Sequence, residues 1–311
     1  MLSRVGDRIY WMSRFMERAE NMARILGVMS NVVLCSRPET QQQNLLAPLT
    51  ITGTGGAYFE RHQTVSLETL IDFMGFDADN ASSIYACVRQ ARDNAHAVRW
   101  QITSEMWESL NTTWLEMRAF RRDAAGPDAT RFFDWVKERS HLFRGVTYGT
   151  IMRGEAFNFS RLGTFIERAD DTARILDVKY HILLPRVEDV GGALDYYQWA
   201  ALLKSVSSFE TYRIIYRDQI RPINVAELLI LDRRMPRSLA ACLEQIDAAL
   251  ARVDGQNDHS PKRLSAELQA RLVHGDIEEI FRGGLHEYLT TFLEDIDELG
   301  QRIQRAYLGA L

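Results

Sequence analysis

No stretch of this chain approaches the roughly 18 consecutive apolar residues that a membrane-spanning helix needs. The N-terminal segment MLSRVGDRIYWMSRFMERAENMARIL places Arg4, Asp7, Arg8, Arg14, Glu17 and Arg18 where a secretory signal has an unbroken apolar core. That argues against export and for a cytoplasmic location. Cysteine is scarce: Cys35, Cys87 and Cys242 form no CxxC pair and, being three, cannot all pair, which suits a reducing compartment and leaves no structural zinc set. There is no basic stripe, because the net charge is −5 with both signs interspersed, so nucleic acid is not expected as a partner. Nor is there a GxSxG elbow or a cysteine with neighbours that would lower its pKa, which removes the usual signs of nucleophilic catalysis. The glycine-rich TGTGG at 52–56 lacks the lysine of a phosphate-binding loop and reads as a connection. No cofactor or metal is called for. Two carboxylate-x-x-His spacings, Asp93 to His96 and Glu138 to His141, resemble half-motifs of a di-iron bundle, but such spacings arise easily in charged helices.

What is present is helical periodicity. Hydrophobic residues make up 46% of the chain and charged residues 25%, an ordinary globular balance. The 7 prolines mostly fall between long segments whose apolar residues recur every three or four positions. Met12, Phe15, Met16, Ala19, Met22, Ala23 and Leu26 form one stripe, and Leu162, Phe165, Ile166, Ala169, Thr172, Ala173 and Leu176 form another. They are one pattern displaced by 150 positions, with ERAENMARILGV at 17–28 against ERADDTARILDV at 167–178. A second match, FDADNASSIYACV (76–88) against LDRRMPRSLAACL (231–243), aligns Asp77 with Asp232, Ser83 with Ser238 and Cys87 with Cys242 at a displacement of 155. The expected fold is all-α, a multi-helix bundle built from an internal duplication, with a first helical repeat at 1–153 and a second at 154–311 packed as one globular unit. In each matched block the Asp closes a helix-ending turn, and Asn80, Ser82 or Ser83 offers an N-cap to the next helix; Pro236 occupies a first-turn position. One long helical pattern runs on from Ser83 to about Arg118, and a last helix is expected over about 276 to 307. Segments 36–64, 122–130, 185–192 and 254–261 read as loops.

At 100° per residue, Glu17, Glu20 and Arg24 lie on one flank of the first stripe, and Arg14, Arg18 and Asn21 on the other. The second stripe repeats this with Glu167, Asp170 and Arg174 against Arg168 and Asp171. Charges bordering a buried face must find partners, since an unpaired buried charge costs several kcal/mol. An exposed i, i+4 pair such as Glu20 with Arg24 contributes only about 0.2–0.5 kcal/mol. Pairing between helices, across a pseudo-twofold relating the copies, is the stronger account. A second polar concentration, including Arg92, Asn94 and Glu105, falls on the long pattern after Ser83 and has no counterpart in the other copy. Asn94 is a poor mid-helix choice, which points to a specific hydrogen bond there.

These blocks, SRVGDRIYWMSRFMERAENMARIL, NASSIYACVRQARDNAHAVRWQITSEMWESLN, RGEAFNFSRLGTFIERADDTARILDVKY, SFETYR and LLILDRRMPRSL, resemble the bacterial alpha-E family over nearly the whole chain. Glu17, Arg18, Glu167 and Arg168 fall on its Glu-Arg motif. The resemblance implies association with circularly permuted ATP-grasp peptide ligases, with transglutaminase-like peptidases and sometimes with proteasome-like hydrolases, but no established reaction. The expectation is an auxiliary, non-catalytic helical subunit of an ATP-grasp amide-ligase system that docks the ligase or holds its peptide substrate. The rival is an enzyme acting on an amino-acid or peptide substrate through the groups near Glu17, Glu167 and Glu105, marked by a concave polar pocket and raised carboxylate pKa values. A third reading is a helical scaffold that self-associates as a homo-oligomer, marked by a large exposed apolar patch.

Overall fold

Two long helices set the architecture. α1 (Ser3–Cys35) and α8 (Glu155–Ile182) are about 50 Å and 42 Å long at 1.5 Å per residue. Of the stripe predicted on each, Met12, Met16, Ala19, Met22, Ala23 and Leu26 on α1 and Leu162, Ile166, Ala169, Thr172, Ala173 and Leu176 on α8 are buried, while Phe15 and Phe165 are half-buried at the edges. Met1 pairs with Glu155, Ser13 Oγ lies 2.8 Å from Ser160 Oγ, and Asn21 hydrogen-bonds Asp171. Partners advance together along both sequences, so the helices run parallel. Gly163 permits their closest approach, because a Cβ there would lie 2.1 Å from the Tyr10 carbonyl oxygen. The computed structural model describes residues 1–35, 38–123, 129–182, 192–217, 219–253 and 258–309, and among them the fold is all-α, with fifteen α-helices and no strand.

The remaining helices are α2 (Pro38–Thr52), α3 (Gly55–Phe59), α4 (Leu67–Ile71), α5 (Ile84–Ala97), α6 (Ser104–Asp123), α7 (Ala129–Thr150), α9 (Ala193–Ser205), α10 (Phe209–Tyr216), α11 (Pro222–Ile230), α12 (Leu239–Leu250), α13 (Ser260–Val273), α14 (Ile277–Gly283) and α15 (Leu285–Ile303). Around α1 stand α5 and α7, with α6 bridging them; around α8 stand α12 and α15, with α13 bridging them. α2 reaches across to α8 and α9 reaches across to α1. The helices entering these groups start alike. Ser83 Oγ accepts from the Ala86 amide at 3.0 Å and donates to the Asp77 carbonyl at 2.5 Å, while Ser238 Oγ accepts from the Ala241 amide at 3.0 Å and donates to the Asp232 carbonyl at 2.7 Å. Each hydroxyl thereby satisfies one of the amides a helix start leaves unbonded.

Several local expectations need correction. The pattern after Ser83 is two helices: α5 ends at Ala97, and Thr103 restarts the chain by accepting from the Met106 amide at 3.2 Å. Segment 36–64 is not all loop, since α2 and α3 lie within it; Pro48 sits inside α2, whose Leu45 and Leu49 are buried in the core. The last helix is broken at Gly284, whose φ of +99° separates α14 from α15, and it ends in a π-helical turn over Gln304–Leu308. Pro236 lies in the turn before the Ser238 cap, not in the first turn of α12. Of 254–261, Ser260 and Pro261 already belong to α13, and of 122–130, residues 122–123 and 129–130 are helical. Residues 185–191 fall outside the described residues.

Candidate functional site

The Glu-Arg dipeptides of α1 and α8 meet at one depth and exchange partners. Arg168 donates to Glu17 through Nε at 2.8 Å and through a terminal nitrogen at 2.9 Å. In return Arg18 donates both Nε and a terminal nitrogen, the latter at 2.9 Å, to Glu167. Each motif glutamate thus takes the fork of the arginine in the other motif, the bidentate geometry in which guanidinium and carboxylate bind best. Both glutamates are 2% exposed, so these are buried ion pairs, and each carboxylate needs further donors to offset its desolvation.

The further donors differ on the two flanks. Glu167 receives Arg14 Nε at 2.8 Å, and Arg14 lies over the Trp11 ring and reaches the Tyr10 hydroxyl at 3.3 Å. Arg18 in turn lies over the Phe15 ring, so aromatic side chains pack against both arginines of this flank. Glu17 instead receives Arg144 of α7 at 2.9 Å and Arg237, from the turn before α12, at 3.3 Å. Beside it Glu20, with no exposed surface, collects Arg24 at 2.7 Å, Arg237 at 2.7 Å, Arg144 at 2.5 Å and the Ser140 hydroxyl at 2.7 Å. His141 Nε2 stands 3.1 Å from Arg24, whose guanidinium also donates to Ser207 Oγ at 2.5 Å. Ser207 is held at φ +55°, a left-handed conformation uncommon for a residue with a Cβ.

The Glu17 flank opens into a cleft of about 590 Å³ between α1, α7, α8 and the segments around Ser207 and Arg237. Five arginines line it, Arg24, Arg144, Arg161, Arg168 and Arg237, against one carboxylate, Glu20. Phe143, Tyr148, Phe157 and Phe165 supply apolar wall. Arg161 lies over the Phe157 and Phe165 rings at 5.5 and 4.9 Å and donates to Gln245.

Electrostatics fix the protonation states. Burial alone would raise the Glu17 pKa, but Arg168, Arg237 and Arg144 outweigh it and hold the group below the ordinary carboxylate range. Glu20 is driven well below that range in the same way, its burial overcome by His141, Arg237, Arg144 and Arg24. Glu167 falls to about 2, burial being overcome by Arg18 and Arg14. A carboxylate kept ionised this firmly has no proton to donate near neutral pH and is a weak base, so the raised values that an acid-base catalyst needs are not found at Glu17, Glu20 or Glu167. Asp171 behaves oppositely. Burial, then Glu167 and Asp170, push its pKa well above normal despite Asn21 and Arg18. Cys87 and Cys242, both buried, are pushed up to about 12 by burial, which keeps their thiols protonated near neutral pH.

The remaining predicted residues lie elsewhere or play smaller parts. Asp170 pairs with Arg174 within α8 at 2.8 and 3.0 Å. Asn94 is buried; it donates to the Gln90 carbonyl at 2.8 Å and accepts from Arg8 at 3.1 Å, tying α5 to α1. Arg92 bonds Asp93 at 3.0 Å and Asn111 at 3.4 Å and lies over Trp107. Glu105 is exposed in the first turn of α6, away from the seam, so it does not join Glu17 and Glu167 in one site. Among the described residues no group of three His, Cys, Asp or Glu side chains is arranged to hold a metal, and no helix is long and apolar enough to cross a membrane. The sequence reading missed Arg144, Arg161 and Arg237. For Arg237 a signal existed: in the 155-offset match it replaces Ser82, beside the shared cap serine.

No solved structure matches this chain. Uncharacterized proteins of Mycobacterium bovis and Mycobacterium tuberculosis are 26% identical to it over 322 aligned residues, covering 94% of this chain and 35% of theirs. The chain therefore spans about a third of the length of these relatives. The profile of the Alpha-E family, described as a predicted alpha-helical domain with a conserved ER motif, matches residues 1–308. With its two ER dipeptides clasped across the α1–α8 seam, the chain belongs to the Alpha-E family.

Proposed function

We propose that this chain is a non-catalytic helical module, acting in the bacterial cytoplasm, that serves an ATP-grasp amide-bond-forming system by holding the peptide substrate or docking the ligase. The observation that carries the reading is the cleft of five arginines against one glutamate opening directly off the ER seam. Such a surface attracts anions, and its carboxylates are committed to fixing arginines rather than to moving protons. The relatives, in which the matched region is about a third of the polypeptide, fit a module that works beside other domains. A transglutaminase-like peptidase is a second partner of the same system. We also propose that residues 1–153 and 154–311 arose by duplication. The parallel roles of α5 and α12, the matched serine caps and the reciprocal ER pairs support this.

The test is to copurify the chain with an ATP-grasp ligase of the same organism and to compare ligase turnover with and without the chain. The reading expects a stable complex or a rise in turnover that Arg144→Met diminishes. Unchanged turnover together with no complex overturns it.

A further inference from the structure

We infer that the arginine cleft is a binding site for the C-terminal end of an acidic peptide, whose α-carboxylate is gripped by Arg144 and Arg161. This deepens the peptide-holding half of the proposed function and rests on it for its role in the cell, but the binding is read from the cleft itself.

The arginines fall into two sets. Arg168 and Arg237 are the back wall. Arg168 gives Nε and one terminal nitrogen to Glu17, and Arg237 gives its terminal nitrogens to Asn21, Glu17 and Glu20. They are buried, 7% exposed each, and act as fixed charge. Arg144 and Arg161 are the reachable pair. Arg144 keeps 30% of its side chain exposed and spends one terminal nitrogen on the glutamates. Arg161 spends one terminal nitrogen on Gln245, a neutral partner. Burial first, and then the neighbouring cations Arg153, Arg168 and Arg252, lower its pKa. Among the described residues this half-buried cation forms no ion pair, and it is stacked on two phenyl rings that strip its hydration.

Charge and shape narrow the occupant. Glu20 on the wall and Glu17 behind it leave the five guanidiniums well in excess, so more than one negative charge is accommodated. A guanidinium fork presents paired N–H groups that match the two oxygens of a carboxylate. Phe157, Phe165 and Tyr148 give an apolar side chain somewhere to lie, and the hydroxyl-bearing Thr164, Ser207 and Thr211 suit a peptide backbone. A volume of about 590 Å³ is within the span of small-ligand sites, about 300–1,000 Å³. An inorganic anion would use the charge and leave these walls unused.

The probe is N-acetyl-Glu-Phe with a free α-carboxylate, titrated calorimetrically into the full chain beside its C-terminal amide and beside inorganic phosphate. The free acid is expected to bind at least tenfold more tightly than either. Arg161→Met is expected to weaken it at least tenfold at unchanged melting temperature, because Arg161 stands outside the ER ion pairs, and Arg161→Lys to recover part of the loss. Thr164→Trp, which fills the cleft without removing a charge, is expected to block it. Equal affinity for acid and amide, phosphate binding as tight as the peptide, or no heat from the free acid at millimolar concentration each overturns the assignment. Peptide binding that fails while ligase turnover still responds to the chain sinks this inference alone; binding that succeeds with an indifferent ligase sinks the ligase reading alone.

Discussion

Replacing Glu167 with glutamine removes one charge and hardly any volume, which isolates electrostatics from packing. The carboxylate takes Arg14 Nε at 2.8 Å and a terminal nitrogen of Arg18 at 2.9 Å, besides Arg18 Nε, and is itself 2% exposed. An amide offers one acceptor oxygen and no charge, so two guanidiniums are left with a single neutral partner. Breaking a buried pair costs about 3–5 kcal/mol. The arginine side chains keep 15% and 25% of their surface in water, so screening places the loss at the lower end, about 3 kcal/mol. Melting temperatures move roughly 2–4 °C per kcal/mol in chains of 150–250 residues and less in longer ones, so Glu167→Gln is expected to melt about 5 °C lower at pH 7. The pH dependence adds an independent check. Glu167 has a folded pKa of about 2 against an ordinary 4.5, so its contribution is complete above about 4.5 and is lost as pH falls toward 2. The gap between wild type and variant should therefore close across that window. Calorimetric melts at pH 7, 5, 4 and 3 read both effects. A variant within 1 °C of wild type at pH 7, or a gap that stays constant to pH 3, refutes the account of the seam.

Asp171→Asn should act the other way. Because the fold raises the Asp171 pKa, ionising it costs stability as pH climbs from 3.8 through the raised value, so the asparagine variant is expected to gain melting temperature at pH 8 and little at pH 4. Gly163→Ala forces a methyl group to within 2.1 Å of the Tyr10 carbonyl, and since backbone yields less than side chain, the loss should exceed the 1–3 kcal/mol usual for overpacking; urea unfolding that shows less would mean α1 and α8 separate easily. Ser83→Ala and Ser238→Ala remove equivalent caps and should each cost about 1 kcal/mol by urea midpoint, and unequal losses would show that the two helix starts are not energetically alike.

The legible parts of the sequence were those set by period and local chemistry. The stripes on α1 and α8 follow from 3.6-residue spacing, and the pairing of Glu17 and Glu167 with arginines of other helices follows from charges bordering a buried face, though not which arginines. The breaks were harder. Between α5 and α6 no glycine or proline marks the turn, and apolar Val98 and Ile102 keep the helical rhythm going through it. Pro48 misled in the other direction, since α2 continues past it. Glu20 bordered the buried face with Arg24 as its one nameable partner; α7 and the turn at Arg237 make it the centre of a cluster, and no spacing within α1 announces residues more than a hundred positions away.

The reciprocal ER pairs are alike on the two helices, but their surroundings are not. Offset by 150, Trp11 corresponds to Arg161 and Arg14 to Thr164. On the Glu167 side the Arg14 guanidinium stacks on the indole at 5.0 Å and pairs with the carboxylate. On the Glu17 side an arginine stands in place of the indole and a threonine in place of the arginine, so the space stays open and the positive charge moves from the carboxylate to the cleft wall. Glu17 then draws its remaining cations from Arg144 and Arg237, which also line the cleft. The ion-pair seam thus stands directly behind a cationic surface whose back-wall arginines, Arg168 and Arg237, it holds in position.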